Sequence, residues 1–103
     1  MKIYNKLVRD KIPQIIAADG KEFDTHIASK EEYTEMLEAK LKEETTEYLE
    51  DKNLKELADV MEVLFALTEN LGYSEQDLID MRNKRNESRG GFKERIILEK
   101  VYE

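Results

Sequence analysis

Between Leu54 and Leu71 the chain reads LKELADVMEVLFALTENL, which is apolar around most of the circumference of a helix. Wound at about 100° per residue, only Lys55, Glu62 and Glu69 make a narrow wet stripe. A helix this apolar is normally buried on several sides. A chain of 103 residues is long enough for one domain and too short for two, and can hardly cover such a helix alone. The expectation is one domain over residues 1–103, assembled as a homodimer or a higher homo-oligomer with this helix central.

Two acids interrupt the pattern. Glu56 shares its face with Val60, Val63 and Leu67, and Asp59 lies beside them. The preceding helix has the same peculiarity. Ser29 and Glu32 have capping-box spacing and start it, and it runs to about Glu50 with Tyr33, Leu37, Leu41 and Tyr48 on one stripe. Glu44 falls in the middle of that stripe and Glu47 on its border, although burying an unpaired carboxylate is costly. Asp51-Lys52-Asn53 is a tight turn, so the two helices run antiparallel and bring Glu47 and Glu56 to the same end.

The flanking segments are shorter. Asp10 is placed to cap a helix with Pro13 in its first turn and Ile12, Ile15 and Ile16 as its buried face, ending at Asp19-Gly20. Weak alternation around Phe23, Thr25 and Ile27 predicts a strand, and Phe92 to Val101 predicts another that pairs with it. Gly72 is a C-cap, and Ser74 with Asp77 restarts a fourth helix over about Glu75 to Glu87, with Leu78, Ile79 and Met81 inside. The fold class expected is mainly α: an antiparallel helical bundle with a small β element at about 23–27 and 92–101.

Composition removes several chemistries. The chain has no Cys, so disulfides, Cys-based zinc sites and thiol nucleophiles are excluded, and His26 is its single histidine. A net charge of −7 opposes binding to a nucleic acid polymer or an anionic membrane. No apolar run approaches membrane-spanning length and MKIYNKLVRDK has no apolar signal core, so the expected location is cytoplasmic.

The acids carry the chemistry. Glu44/Glu47 and Glu56/Asp59 are each three residues apart, neighbours on a helical face. Two facing helices can aim all four at one point, a cage for Mg²⁺, which prefers oxygen ligands and usually sits with phosphates. Carboxylates so crowded repel one another unless protonated or neutralised by cations. Each residue also has a plainer reading. Acid pairs three apart are common in a chain with 24 acids, Asn53 with Glu56 has capping-box spacing, and Asp59 is explained without a metal if a base such as Lys40 pairs with it. A bound Mg²⁺ would lower the pKa of an attacking water, with Glu43 or Glu47 as general base. Lys84 and Arg89 are candidate phosphate contacts, though basic residues also stabilise a helix C-terminus. Lys6 and Arg9 form a second basic group with the same candidacy, and solubility as its default role.

E-E-x-x-E at Glu43, Glu44 and Glu47, followed by E-x-x-D at Glu56 and Asp59, resembles the signature of MazG-type all-α nucleoside triphosphate pyrophosphatases. The opening YNKLVRDKIPQII and the closing RGGFKERIIL resemble a short stand-alone branch related to phosphoribosyl-ATP pyrophosphohydrolases. The resemblance implies a Mg²⁺-dependent enzyme, with Mn²⁺ as a substitute. It would cleave a nucleoside triphosphate between the α- and β-phosphates, releasing a monophosphate and pyrophosphate as nucleotide-pool house-cleaning. It also implies metal ligation by Glu44, Glu47, Glu56 and Asp59, phosphate contacts from Lys84 and Arg89, and helical hairpins assembled as dimers or higher. The rivals are phosphoribosyl-ATP hydrolysis in histidine synthesis and a non-catalytic dimeric helical interaction module.

Overall fold

The structure, a computed structural model, describes residues 1–102. Four helices follow in order: α1 (Ile12–Ala18), α2 (Lys30–Asp51), α3 (Leu54–Asn70) and α4 (Glu75–Arg89). The fold is mainly α, and among the described residues there is no strand. Both expected strands, 23–27 and 92–101, are irregular chain instead. Isolated strands leave their backbone groups unpaired and gain little from a lone partner, so without a neighbouring sheet neither segment settles. Ile27, Phe92, Ile96, Ile97 and Leu98 all stay largely exposed.

The centre of the molecule is the α2–α3 hairpin. Ser29 starts α2 by accepting from the Glu32 backbone N–H at 3.2 Å. The Glu32 side chain does not complete the reciprocal cap; its Oε1 lies 2.9 Å from His26 Nε2. Lys52 ends α2 in the left-handed region (φ 49°, ψ 50°), reversing the chain in two residues before Asn53 caps α3. At the far end of the hairpin the Asn70 amide donates to Thr34 Oγ1 at 2.9 Å, tying the end of α3 to the start of α2. Between these ends Leu37 and Val63 are buried, at 2% and 7% exposure, with Tyr33, Leu41, Tyr48 and Leu67 half-buried around them.

The other helices cover little of this hairpin. In α1 Pro13 sits in the first turn as expected, but Lys11 rather than Asp10 takes the N-cap position and no side chain caps it. Ile12 and Ile16 are half-buried while Ile15 points to solvent. Beyond Gly72, whose φ of 97° turns the chain, Ser74 and Asp77 make a complete capping box for α4. That helix runs two residues past the expected Glu87 and packs only lightly on α3. Leu78 is half-buried, but Ile79 and Met81, expected inside, are exposed because no neighbouring element reaches them. One face of α3 is bare as well: Leu54, Leu57, Met61, Leu64 and Leu71 are all exposed.

The chain is consequently extended. Its radius of gyration is 18.2 Å and its extents 62 × 31 × 25 Å, where a compact domain of this length measures about 13 Å in radius of gyration. It exposes 9810 Å², against about 6,000 Å² for a compact monomer of its mass. Among the described residues no helix is long and apolar enough to cross a membrane.

Candidate metal centre

The acids converge at the turn end of the hairpin. Oxygen atoms of Glu44, Glu56 and Asp59 lie within 4.8 Å of one another, and so do those of Glu43, Glu44 and Glu47. Glu44 belongs to both groups, so the four expected ligands form one continuous cluster with Glu43 at its edge. The hairpin geometry makes this possible: Glu44 and Glu47 are on the last turns of α2, Glu56 and Asp59 on the first turns of α3, and only two residues separate the helices.

Two of the acids are inside the protein. Glu44 is 7% exposed and Glu56 5%. Each has one oxygen, Oε2, that is buried and has no hydrogen-bond partner among the described residues. A buried carboxylate oxygen without a donor carries the full desolvation penalty of its group. The capping explanation for Glu56 fails on this point. Asn53 Oδ1 accepts from the Glu56 backbone N–H at 2.9 Å, but the Glu56 carboxylate takes no part in the cap. Its Oε1 lies 3.4 Å from Lys55 Nζ and its Oε2 is the orphan.

Four basic side chains surround the cluster. Lys40 Nζ lies 3.4 Å from Glu43 Oε2 and 3.5 Å from Glu44 Oε1. Lys55 reaches Asp59 Oδ2 at 3.9 Å besides Glu56. Lys6 Nζ pairs with Glu43 Oε1 at 2.9 Å, and Arg9 Nη2 with Asp59 Oδ1 at 2.7 Å. Asp59 thus has two basic partners, Arg9 and Lys55 rather than Lys40, and its plainer explanation without a metal is met. Glu47 is half-buried and, among the described residues, makes no ion pair.

The charges answer one another accordingly. The hydrogen bond from Lys6 holds the Glu43 carboxyl below the usual carboxylate range, with Lys40 adding to it, and Glu43 in turn raises the Lys6 ammonium. Glu47 moves the opposite way: the Glu44 carboxylate beside it pushes it up, followed by burial and the charges on Glu56 and Glu43. Lys55 is raised mainly by Glu56. Hydrogen bonding to Lys6 and like charge beside Glu47 therefore separate the two candidate bases that sequence left equal.

The remaining candidates stand apart from the acids. Lys84 and Arg89 are on exposed α4 and, among the described residues, pair with none of the cluster; Arg89 lines a shallow cavity with Arg85, Asn86, Gly90, Gly91 and Phe92. The roles of Lys6 and Arg9 as direct partners of Glu43 and Asp59 are the feature that sequence reasoning missed. Their spacing of three residues was the available signal, but an irregular segment gives no periodicity from which to aim it.

An all-oxygen donor set, with two buried oxygens that lack a proton donor among the described residues, fits a hard divalent cation. Comparison with protein-family models, with curated proteins and with solved structures finds no match.

Proposed function

We propose that the chain is a MazG-like, Mg²⁺-dependent nucleotide pyrophosphohydrolase, splitting a nucleoside triphosphate between its α- and β-phosphates into monophosphate and pyrophosphate. The observation that carries this reading is the pair of orphaned carboxylate oxygens on Glu44 and Glu56, packed with Glu47 and Asp59 at one end of a helical hairpin. Among the described residues no group donates a hydrogen bond to those oxygens, and a cation would accept their lone pairs instead.

Glu44, Glu47, Glu56 and Asp59 would hold the ion, Mg²⁺ or Mn²⁺. Bound there, it would neutralise phosphate oxygens and make a nearby water more acidic. Glu47 is the better general base of the two candidates, because it makes no ion pair among the described residues, while Glu43 is tied to Lys6 and Lys40. Glu43 then serves to place Lys6 at the rim. Lys84 and Arg89 supply phosphate donors only if a nucleotide, or a second copy of the chain, brings α4 to the cluster.

A homodimer or higher oligomer belongs to the same reading. The surface exceeds that of a compact monomer by several thousand Å², and Leu57, Met61 and Leu64 line the side of α3 that α2 leaves open. Even a standard interface removes only about 800 Å² per partner, so the excess is ample for a permanent one. The irregular segments 23–27 and 92–101 would find strand partners in such an assembly.

The test is pyrophosphate release from a panel of canonical and modified deoxynucleoside triphosphates and phosphoribosyl-ATP, with Mg²⁺ and with chelator. Mg²⁺-dependent pyrophosphate from one or more of them is expected, and phosphoribosyl-ATP as the sole substrate would move the chain to histidine synthesis. No pyrophosphate from any of them, at an unchanged melting temperature, would leave a non-catalytic helical module.

A further inference from the structure

The first eleven residues make no helix or strand, yet two of them reach the acid cluster. Two cations three residues apart on this arm reach one acid on each helix of the hairpin: Lys6 takes Glu43 of α2, and Arg9 takes Asp59 of α3. Half-buried Leu7 sits between them, and the Lys6 ammonium lies 6.0 Å from the centre of the Tyr4 ring. The Arg9 contact is the consequential one. It occupies one oxygen of Asp59, and Asp59 groups with Glu44 and Glu56, the two acids with a buried oxygen that has no hydrogen-bond partner among the described residues.

We infer that Arg9 is an exchangeable counter-ion of the site: it holds Asp59 while no metal is bound, yields that oxygen to a divalent cation, and then pairs with the phosphates of the incoming nucleotide. The inference rests on the metal site proposed above and adds what controls entry to it. Three features support the exchange. The Arg9 side chain is 55% exposed, so its pair with Asp59 is weak enough to be displaced. It stands just ahead of α1, where its carbonyl accepts the Ile12 N–H at 3.0 Å, so the side chain can leave Asp59 by rotating while that turn stays in place. Its planar fork suits bidentate phosphate as well as carboxylate, which an ammonium does not match. Lys40, by contrast, is fixed on α2 and largely buried, and it faces Glu43 and Glu44 rather than Asp59.

Competition gives a sign that a structural role would not. A residue that merely positions Asp59 as a ligand makes metal binding weaker when it is lost; a competitor makes it tighter. The probe is Mn²⁺ alone, followed by electron paramagnetic resonance, on the full chain and on Arg9→Gln and Arg9→Lys. Arg9→Gln should bind Mn²⁺ about two- to fivefold more tightly than the unaltered chain, a gap that closes as monovalent salt screens the ion pair. Arg9→Lys should fall between them. With Mn²⁺ bound, the order reverses for a non-hydrolysable α,β-methylene nucleoside triphosphate: Arg9→Gln should bind it several-fold more weakly.

Equal or weaker Mn²⁺ binding by Arg9→Gln, where the unaltered chain binds Mn²⁺, overturns the exchange and leaves the acid site standing. Tighter Mn²⁺ with unchanged analogue affinity overturns the transfer to phosphate. No Mn²⁺ binding by the unaltered chain removes the site itself, and the inference with it.

Discussion

The two faces of α3 are filled the wrong way round for an isolated globular chain. Toward α2 it buries Glu56 and half-buries Asp59, while on its other side Leu54, Leu57, Met61, Leu64 and Leu71 stand in water. Charged residues are rarely buried without partners, and a long apolar stripe is rarely left bare. The two anomalies ask for different things. The inner face lacks positive charge at buried oxygens, which a small cation supplies. The outer face lacks apolar cover, which the proposed oligomer would supply. One helix therefore carries the demand for a ligand on one side and for a partner on the other.

The largest effects should come from breaking the inner face. Glu44→Gln or Asp59→Asn should lower Mg²⁺-dependent turnover by about 100-fold or more, since a ligand rather than one of its supports is lost. The same Glu44→Gln should leave the metal-free fold unharmed or stabilise it by about 1–3 kcal/mol, because it removes a buried charge lacking a full set of partners. Pyrophosphate release checks the first half and circular dichroism melts without Mg²⁺ the second, and a melt lowered in the absence of metal would argue that Glu44 is an ordinary structural acid.

Next in size is the outer face. If the unaltered chain sediments as the proposed oligomer, Leu64→Glu or Met61→Glu should split it, seen as a halved or smaller mass in sedimentation velocity at micromolar concentration, while leaving the acid cluster in place. An unchanged mass would place the partner surface elsewhere. Saturating the site should also stabilise the whole chain by mass action, about 2.7 kcal/mol when Mg²⁺ is a hundredfold above its dissociation constant. Glu44→Gln should erase that gain.

The smallest effect belongs to Lys6 and Glu43, a partly exposed pair worth about 1 kcal/mol or less. The Glu43 carboxyl is lowered, so its share is present above the ordinary glutamate value and is lost as pH falls through its folded value. The Lys6 ammonium is raised, so its share is present below the ordinary lysine value and is lost as pH rises through its folded value. Between those limits Lys6→Met should lower stability slightly, and at acid pH the difference should vanish; chemical denaturation across pH measures it.

Much of this was legible in residue order. Caps and periodicity marked α2, α3 and α4 because Ser29, Asn53 and Ser74 each accept from a backbone N–H three residues on. Burial of Glu44 followed from its place on the Leu37–Tyr48 stripe, since helical spacing fixes which face a residue shares. Arg9 against Asp59 was not legible, as those residues are 50 apart and one lies in irregular chain. The strands failed for a related reason. Weak alternation in Phe23–Ile27 and the apolar residues of Phe92–Val101 record what the segments can do when paired, whereas among the described residues there is no strand for either to pair with.

The most direct test is phosphorus NMR of the products formed from a turned-over nucleoside triphosphate with Mg²⁺, comparing the unaltered chain with Glu44→Gln. Equal amounts of monophosphate and pyrophosphate from the first, and intact triphosphate with the second, is the predicted result. Nucleoside diphosphate with orthophosphate, or the same products at the same rate from Glu44→Gln, would contradict a pyrophosphohydrolase built on these four acids.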